Sequence, residues 1–357
     1  MEMLGFEPES SANFVITGDW HINLSKHPEW HRDRLFKLVD SIAKTLSRKH
    51  NYYKIVVLNG DIFDRATPTL EEIGLFYELL TYLKESLVDK PLHILLLAGN
   101  HEVLSKKQTT FDFLPRTAMF HYAKCALVTF GDTWFHLVGH PYIKYIEPNT
   151  VLGKKNILFS HYRSELQFAA PEVDNDIVSK KYNLTILSDI HYDYSPRENI
   201  HYTSSPFSTK FIEVDSFTLE PSVVYGFYEL SYSAGKISHK MTALDLPSKF
   251  KCTLNKEEEI ITFINAIREQ TTNHIYKVVL SFTPSSELLS QLKAEEKIVN
   301  VVIQDATPVE IDTDTSEIVD ELREGNTEGL LEIILNNIDV PETNKEQYLQ
   351  TLRGLLC

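Results

Sequence analysis

Short, nearly continuous apolar runs alternate with longer amphipathic stretches through the first hundred residues. Phe14-Val15-Ile16, Lys54-Ile55-Val56-Val57-Leu58 and His93-Ile94-Leu95-Leu96-Leu97 read as buried strands. Between them, Leu35, Leu38, Val39, Ile42 and Leu46 recur at helical spacing, as do Leu70, Ile73, Tyr77, Leu80 and Leu83. This alternation predicts βαβ units and a layered α/β core. Past residue 120 the runs follow one another quickly, at 126–130, 133–138, 156–159 and 184–187. They predict a second sheet packed on the first.

Further strand-like segments fall between 200 and 245, including 223–231. Residues 1–247 are therefore read as one large domain. A compact α+β unit follows over 248–306, with helices predicted at 258–269 and 286–294 and strands at 275–282 and 297–304. Residues 307–327, rich in Asp, Glu and Thr, read as an acidic linker. Over 328–357, Leu331, Ile334, Leu335 and Ile338 share a helical face, Pro341 interrupts, and Tyr348, Leu352 and Leu355 repeat the pattern. Helices this short are marginal alone. Their apolar faces suit either a hairpin folded back on the body or a docking segment for a partner groove, and the acidic tether favours docking.

Composition narrows the class. The 43% apolar content of the 357 residues is that of a globular chain. No apolar run reaches the roughly 18 residues of a membrane span, and MEMLGFEPESSAN has acids where a secretory leader is basic. The expectation is a soluble cytoplasmic protein. Cys125, Cys252 and Cys357 are far apart, which argues against a disulfide framework or a thiolate zinc site. The net charge of −15 argues at first against nucleic acid, but 12 acids and only 3 basic residues lie from Pro308 onward. The remainder shows no basic stripe, so charge alone reveals no DNA binding.

Candidate chemistry clusters where the apolar runs end. They lead into Gly18-Asp19-Trp20-His21, Gly60-Asp61-Ile62-Phe63-Asp64, Gly99-Asn100-His101-Glu102, Ser160-His161 and Ser188-Asp189-Ile190-His191. Ligand sites of open α/β sheets gather at the carboxyl ends of strands, so five such ends would build one site. In extended chain, residues two apart project to one side. On that reasoning Asp19 and His21 hold one ion together, and so do Asp189 and His191. Glycines before Asp61 and Asn100 would let backbone and metal approach closely. An alternative register for the last motif uses His191 and Asp193; Asp189 is preferred because Leu187 ends the apolar strand. Asp64 suits either a ligand-orienting or a capping role. His140 reads as structural, and His27, His31, His50, His93, His121, His136 and His201 as surface or core residues. Lys106, Lys107, Lys154, Lys155 and Arg163 flank the motifs and suit either phosphate contacts or solvated surface.

The series resembles the calcineurin-like metallophosphoesterase superfamily, and within it the SbcD-type recombination nucleases, most of all those of large DNA phages. The motifs span residues 14–207, ending with Ser205-Pro206, and the small cap and terminal helices extend the likeness. The resemblance implies a two-sheet α/β/β/α sandwich with a cap domain. It implies two divalent cations, Mn²⁺ or Mg²⁺, the first held by Asp19, His21 and His191. Asp61 would bridge to a second on Asn100, His161 and Asp189, with His101 acting on the phosphate. The family's usual last motif is GHxH; here Asp189 replaces a histidine and Ser188 a glycine. An oxygen ligand suits these hard cations. The resemblance further implies a Mn²⁺-dependent 3′→5′ exonuclease with single-strand endonuclease activity, a homodimer, and an SbcC-type coiled-coil ATPase gripped by the terminal helices. A phosphoprotein phosphatase would show GDxHG and GDxVDRG, whereas His21 is followed by Ile22 and Arg65 by Ala66. A phosphodiesterase for another substrate and a recruiting subunit without catalysis are the rival readings.

Overall fold

The computed structural model describes residues 2–304 apart from 7–10, 26, 51, 88–91, 107, 116–119, 123, 147–152, 164–170, 215–217 and 220–222. The expected linker 307–327 and terminal helices 328–357 lie outside the described residues. The chain divides into two compact units, Met1–Leu280 with Pro284–Val302, and Ser281–Thr283 with Ile303–Cys357. The first carries everything described below except Ile303, the last residue of the last strand.

In chain order its elements begin with β1 (Glu2–Phe6), β2 (Ala12–Thr17), α1 (Pro28–Ser47), β3 (Tyr53–Asn59), α2 (Leu70–Glu85) and β4 (Leu92–Leu97). Next come β5 (Val103–Ser105), β6 (Gln108–Thr109), β7 (Phe120–Tyr122), β8 (Cys125–Phe130), β9 (Thr133–Val138), β10 (Lys155–His161), α3 (Asn175–Lys181) and β11 (Leu184–Ser188). The rest are β12 (Tyr194–Arg197), β13 (Ile200–Tyr202), β14 (Ile212–Glu213), β15 (Gly226–Ser233), β16 (Lys236–Ala243), β17 (Lys249–Leu254), α4 (Glu257–Glu269), β18 (Ile275–Leu280), α5 (Ser286–Ala294) and β19 (Ile298–Ile303).

One sheet has the order β16-β15-β2-β3-β4-β7, the other β1-β8-β9-β10-β11-β13-β12. Alternation along each strand explains why their sequences are apolar throughout. Ile16, Val57 and Leu95 stand in register and join Phe14 in the core between the sheets. Val15, Val56 and Ile94 form the neighbouring row and face α1 and α2. Phe14 stacks across the interface on Phe135, centroids 4.8 Å apart, and Phe135 stacks on Phe159 at 5.9 Å. The outer face of the second sheet buries Leu158, Leu187 and Tyr202 against Val178 of α3 and Tyr182. The result is the four-layer α/β/β/α sandwich.

Local chemistry sets the helix starts. Pro28 opens α1 at a position that needs no N–H donor. Thr69 and Glu72 cap α2 reciprocally: Glu72 N donates to Thr69 Oγ1 and Thr69 N to Glu72 Oε2. Strand ends shift by a few residues from the expected ones, most at β15, where Gly226–Ser233 replaces 223–231. A separate four-stranded sheet, β14-β17-β18-β19, is packed by α4 and α5 and takes its edge strand from 212–213. Among the described residues no helix is long and apolar enough to cross a membrane.

Candidate metal centre

Strands β2, β3 and β4 run parallel in one sheet, and β10 and β11 run parallel in the other. Their carboxyl ends bring Asp19, His21, Asp61, Asn100, His101, His161, Asp189 and His191 to one place. His21 Nε2 lies 3.3 Å from His191 Nε2 and 3.9 Å from Asp61 Oδ2. Asp61 Oδ2 is also 3.5 Å from His161 Nε2 and 3.9 Å from His101 Nε2. His191 Nε2 is 3.5 Å from Asp19 Oδ1, and His161 Nε2 is 3.6 Å from Asp189 Oδ1.

Three of the four imidazoles, those of His161, His101 and His191, are hydrogen-bonded through Nδ1, so that Nε2 turns inward. His161 Nδ1 is 2.8 Å from the Asn59 carbonyl and His101 Nδ1 2.8 Å from that of Asp64. A carbonyl only accepts, so both Nδ1 atoms carry the proton. His191 Nδ1 meets Thr209 Oγ1 at 3.0 Å, and His21 Nδ1 lies 3.2 Å from Asp64 Oδ1. Anchoring of this kind fixes ring orientation and leaves the other nitrogen to bind a metal.

Extended alternation does not explain these juxtapositions, contrary to the expectation from spacing. Asp19 (φ 54°), His21 (φ 44°), Asp61 (φ 51°) and Asp189 (φ 104°) all have positive φ. Such backbone costs about 1–3 kcal/mol per residue and persists only where the surroundings enforce it. Here two loops enforce it on one another. Asp19 N donates to Gly60 O, His21 N to Asp61 O and Ile22 N to Ile62 O, at 2.8–3.0 Å. Asp189 and His191 do not share a partner set either. Asp189 faces His161 and Arg163, whereas His191 faces Asp19 and His21. The turn at Asp189 separates them. Asp193 is exposed and enters none of these contacts among the described residues.

The glycines admit neighbouring ligands more than they admit metal. A Cβ on Gly99 would stand 2.1 Å from Asp61 Oδ1, and one on Gly60 (φ 86°) 2.5 Å from His161 Nδ1. Sequence reasoning gave Glu102 no role. It is fully buried and accepts from Asp61 N (2.9 Å), Phe63 N (2.9 Å) and Gly99 N (2.8 Å), clamping two ligand loops together. Its place in Gly99-Asn100-His101-Glu102 was the one available signal. Thr209 gave no sequence signal.

Electrostatics follow from this crowding. Burial opposes ionisation of Asp61, but His161, His21 and His101 outweigh it and hold the carboxyl well below its ordinary value. Burial likewise opposes charge on His161, and Asp61 and Asp189 reverse the effect, raising it. Asp189 is lowered against its burial by His161. Burial and the nearby Asp61 push Glu102 up.

The donors fit divalent cations. Asp19, His21 and His191 offer ligand atoms within 4.8 Å of one another, as do Asp19, Asp61 and His161, and His21, Asp64 and His101. Buried Asp19 Oδ1 has no hydrogen-bond donor. Asn100 Oδ1 lies 3.0 Å from His161 Nε2, 3.2 Å from Asp61 Oδ2 and 3.3 Å from Asp189 Oδ1. Oxygen repels oxygen there unless a cation intervenes; without one, the reversed amide is preferred.

The flanking cations separate. Arg163 Nε is 3.7 Å from Asp189 Oδ2, at the rim of the centre. Lys106 is exposed, and Lys107 lies outside the described residues. Lys154 pairs with Asp132, and Lys155 Nζ donates to Gly235 O. Both stand at the start of β10 while His161 ends it, so these two lysines are remote from the centre, which favours the solvated-surface reading of them over phosphate contacts. A cavity of about 830 Å³ around Gly131, Lys154 and Tyr232 is at that same far end and gathers no ligand set. His140 Nδ1 lies 3.7 Å from Glu172 Oε2.

A two-sheet sandwich with carboxylates, an amide and imidazoles converging at five parallel strand ends defines a metal-dependent phosphoesterase. Residues 12–226 match the family model of the calcineurin-like phosphoesterases, and the chain belongs to that family. Members bind two divalent metals, and the ligand clusters above are the candidates for them. Among curated proteins the chain has no match.

Proposed function

We propose that the chain is an SbcD-type DNA nuclease of a recombination and end-processing complex, phage-encoded and working in the host cytoplasm. Its activity is that of a Mn²⁺-dependent 3′→5′ exonuclease and single-strand endonuclease. The observation that carries the hydrolytic reading is the convergence of three imidazole Nε2 atoms on Asp61, with a fourth, that of His191, against His21 and Asp19. The DNA substrate rests on the resemblance of the motif series and on the departures at Ile22 and Ala66 from the phosphatase pattern.

Asp19, His21 and His191 would hold one ion, Asn100, His161 and Asp189 the other, and Asp61 both. Two Mn²⁺ ions, or Mg²⁺, would supply Lewis-acid stabilisation of the phosphodiester and lower the pKa of water. Water adds to phosphorus as the ester bond to the leaving sugar oxygen breaks. His101 has Nδ1–H committed to the Asp64 carbonyl, so Nε2 is the atom that delivers a proton to that oxygen. Asp64 positions the His101 ring through its carbonyl, and its carboxylate stands 3.2 Å from His21 Nδ1.

The test is Mn²⁺-dependent cleavage of single- and double-stranded DNA beside a cyclic nucleotide and a phosphopeptide. DNA should be cut, His101→Ala should lower kcat about 10²–10⁴-fold, and Asp61→Ala should abolish cleavage, with both variants folded by circular dichroism. Inactivity on DNA with turnover of another substrate would reassign the enzyme, and undiminished cleavage by H101A would remove that residue from the mechanism. The partner in this reading is an SbcC-type coiled-coil ATPase held by 328–357 through the acidic tether 307–327, with 248–306 capping the nuclease domain 1–247 and the nuclease acting as a homodimer. Deleting 328–357 should abolish co-purification with the ATPase and spare Mn²⁺-dependent cleavage of simple DNA; full retention of the ATPase would defeat the docking role.

A further inference from the structure

A small cavity of about 90 Å³ opens beside the metal centre and shares His21 and Asp64 with it. Its remaining walls include His31 and Arg34 of α1, Thr209 and Lys249. Nucleoside-sized pockets run to roughly 300–1,000 Å³, so the space suits only a group the size of an oxyanion.

Arg34 is the informative residue. Its guanidinium is 1% exposed, and no carboxylate of the described residues lies within ion-pair distance. Burial alone lowers its pKa to about 9, with no anion acting in the other direction. The plane is clamped between Trp30 and Phe207, at 4.5 and 3.9 Å from the ring centroids. One edge donates to Ser208 O at 3.2 Å, and Nε is buried without a partner. Two aromatic faces offset part of the desolvation of a cation, but they leave its in-plane donors unsatisfied, and those donors match phosphate geometry.

The surroundings extend the pattern. His31 is buried with Nδ1 unpartnered. Burial, then Arg34 and Lys249, keep its ring neutral, so the region is electropositive apart from Asp64. That carboxylate is already engaged, by His21 Nδ1 at 3.2 Å and by Asn23 Nδ2 at 2.7 Å.

We propose that this cavity is an oxyanion subsite, built by Arg34 with Lys249 and His31, that takes the phosphate adjacent to the scissile one on a polynucleotide strand. The scissile phosphate occupies the centre lined by the imidazole Nε2 atoms. A neighbouring phosphate completes the donor set of Arg34 and fixes the register of the strand. The subsite rests on the nuclease reading and deepens it, since a phosphomonoester or an isolated diester has nothing to place there.

The experiment is a cycle between protein and substrate. Single-stranded DNA with one cleavable linkage is compared with strands in which the linkage on the 5′ or the 3′ side is a neutral methylphosphonate. Bis(p-nitrophenyl) phosphate serves as the diester without neighbours. Arg34→Gln should lower kcat/KM on the all-phosphate strand about 10–100-fold, the worth of a charge-assisted hydrogen bond. On one of the two methylphosphonate strands it should have little further effect. Lys249→Gln, at a less buried position, should give the same non-additivity at smaller size and stands in if R34Q does not fold. Losses that multiply independently on every strand, or that are equal on bis(p-nitrophenyl) phosphate and DNA, would make Arg34 a purely structural tie and overturn the subsite. Turnover of the small diester with no cleavage of any DNA would instead reject the nuclease reading.

Discussion

Glu102 shows how a single side chain governs a centre it does not join. Its two oxygens receive three backbone N–H groups, from Asp61, Phe63 and Gly99, and so fix where two ligand loops stand relative to each other. Burial and the adjacent Asp61 raise its pKa, while three donors call for an anion. Glu102→Gln decides which dominates. An amide nitrogen facing backbone N–H leaves a buried donor unsatisfied, a cost of about 1–3 kcal/mol. The expected outcome is a fall of roughly 2–10 °C in Tm and weaker Mn²⁺ binding by calorimetry, with the fold retained. Unchanged Tm and Mn²⁺ affinity would show that the carboxyl is held neutral. The residue type was legible in the motif; its partners Asp61 and Phe63 were not, because their loop lies about forty positions away in the chain.

At the scale of elements, the central strands β2, β3, β10 and β11 were legible because they are buried on both faces, and apolar runs report that directly. The small sheet was visible through β18, β19 and their helices, whereas β17, with alternating burial, was not read as a strand, and the edge strand from 212–213 is too short to have a period. That sheet carries a pH-sensitive contact. His274 is 7% exposed, packs on Phe250 at 4.6 Å, and accepts from Ser248 N through Nδ1 at 3.2 Å. Burial lowers its pKa from 6.5 to about 4, against a weaker pull upward from Asp245. Because the folded value is depressed, the unfolded chain binds the extra proton first. The contact stabilises fully above pH 6.5 and is lost as pH falls from 6.5 toward 4. Discounted for partial exposure, the loss is about 1–3 kcal/mol. Urea midpoints at pH 7.0 and 4.5 should differ less in His274→Asn than in the parent chain; an equal difference would exclude His274 as a source of acid lability.

For the molecule as a whole, the centre is a point where two sheets are tied together. The ends of β2, β3 and β4 bring four of the seven candidate ligands, and those of β10 and β11 the other three. Divalent cations bound there would stabilise the folded state by mass action, about 2.7 kcal/mol at a concentration of one hundred times Kd. Adding Mn²⁺ should raise Tm and EDTA should reverse the rise. Asp61→Asn should blunt the response and also lower the Tm of the metal-free protein at neutral pH, since the ionised carboxylate is held by His161, His21 and His101 and the amide gives up that attraction. A Mn²⁺-independent Tm would remove the centre as a metal site.

The sequence by itself determined the α/β class and the residue types waiting at five strand ends, because the two-residue and 3.6-residue periods survive in any regular element. Past the last paired residue of a strand that periodicity stops. The positive φ values at Asp19, His21, Asp61 and Asp189, the clamp of Glu102 on the loop of Asp61, and the Arg34 cavity were decided only by tertiary structure. Each depends on a loop held against another loop remote in the chain, and a linear pattern carries no record of which loops meet.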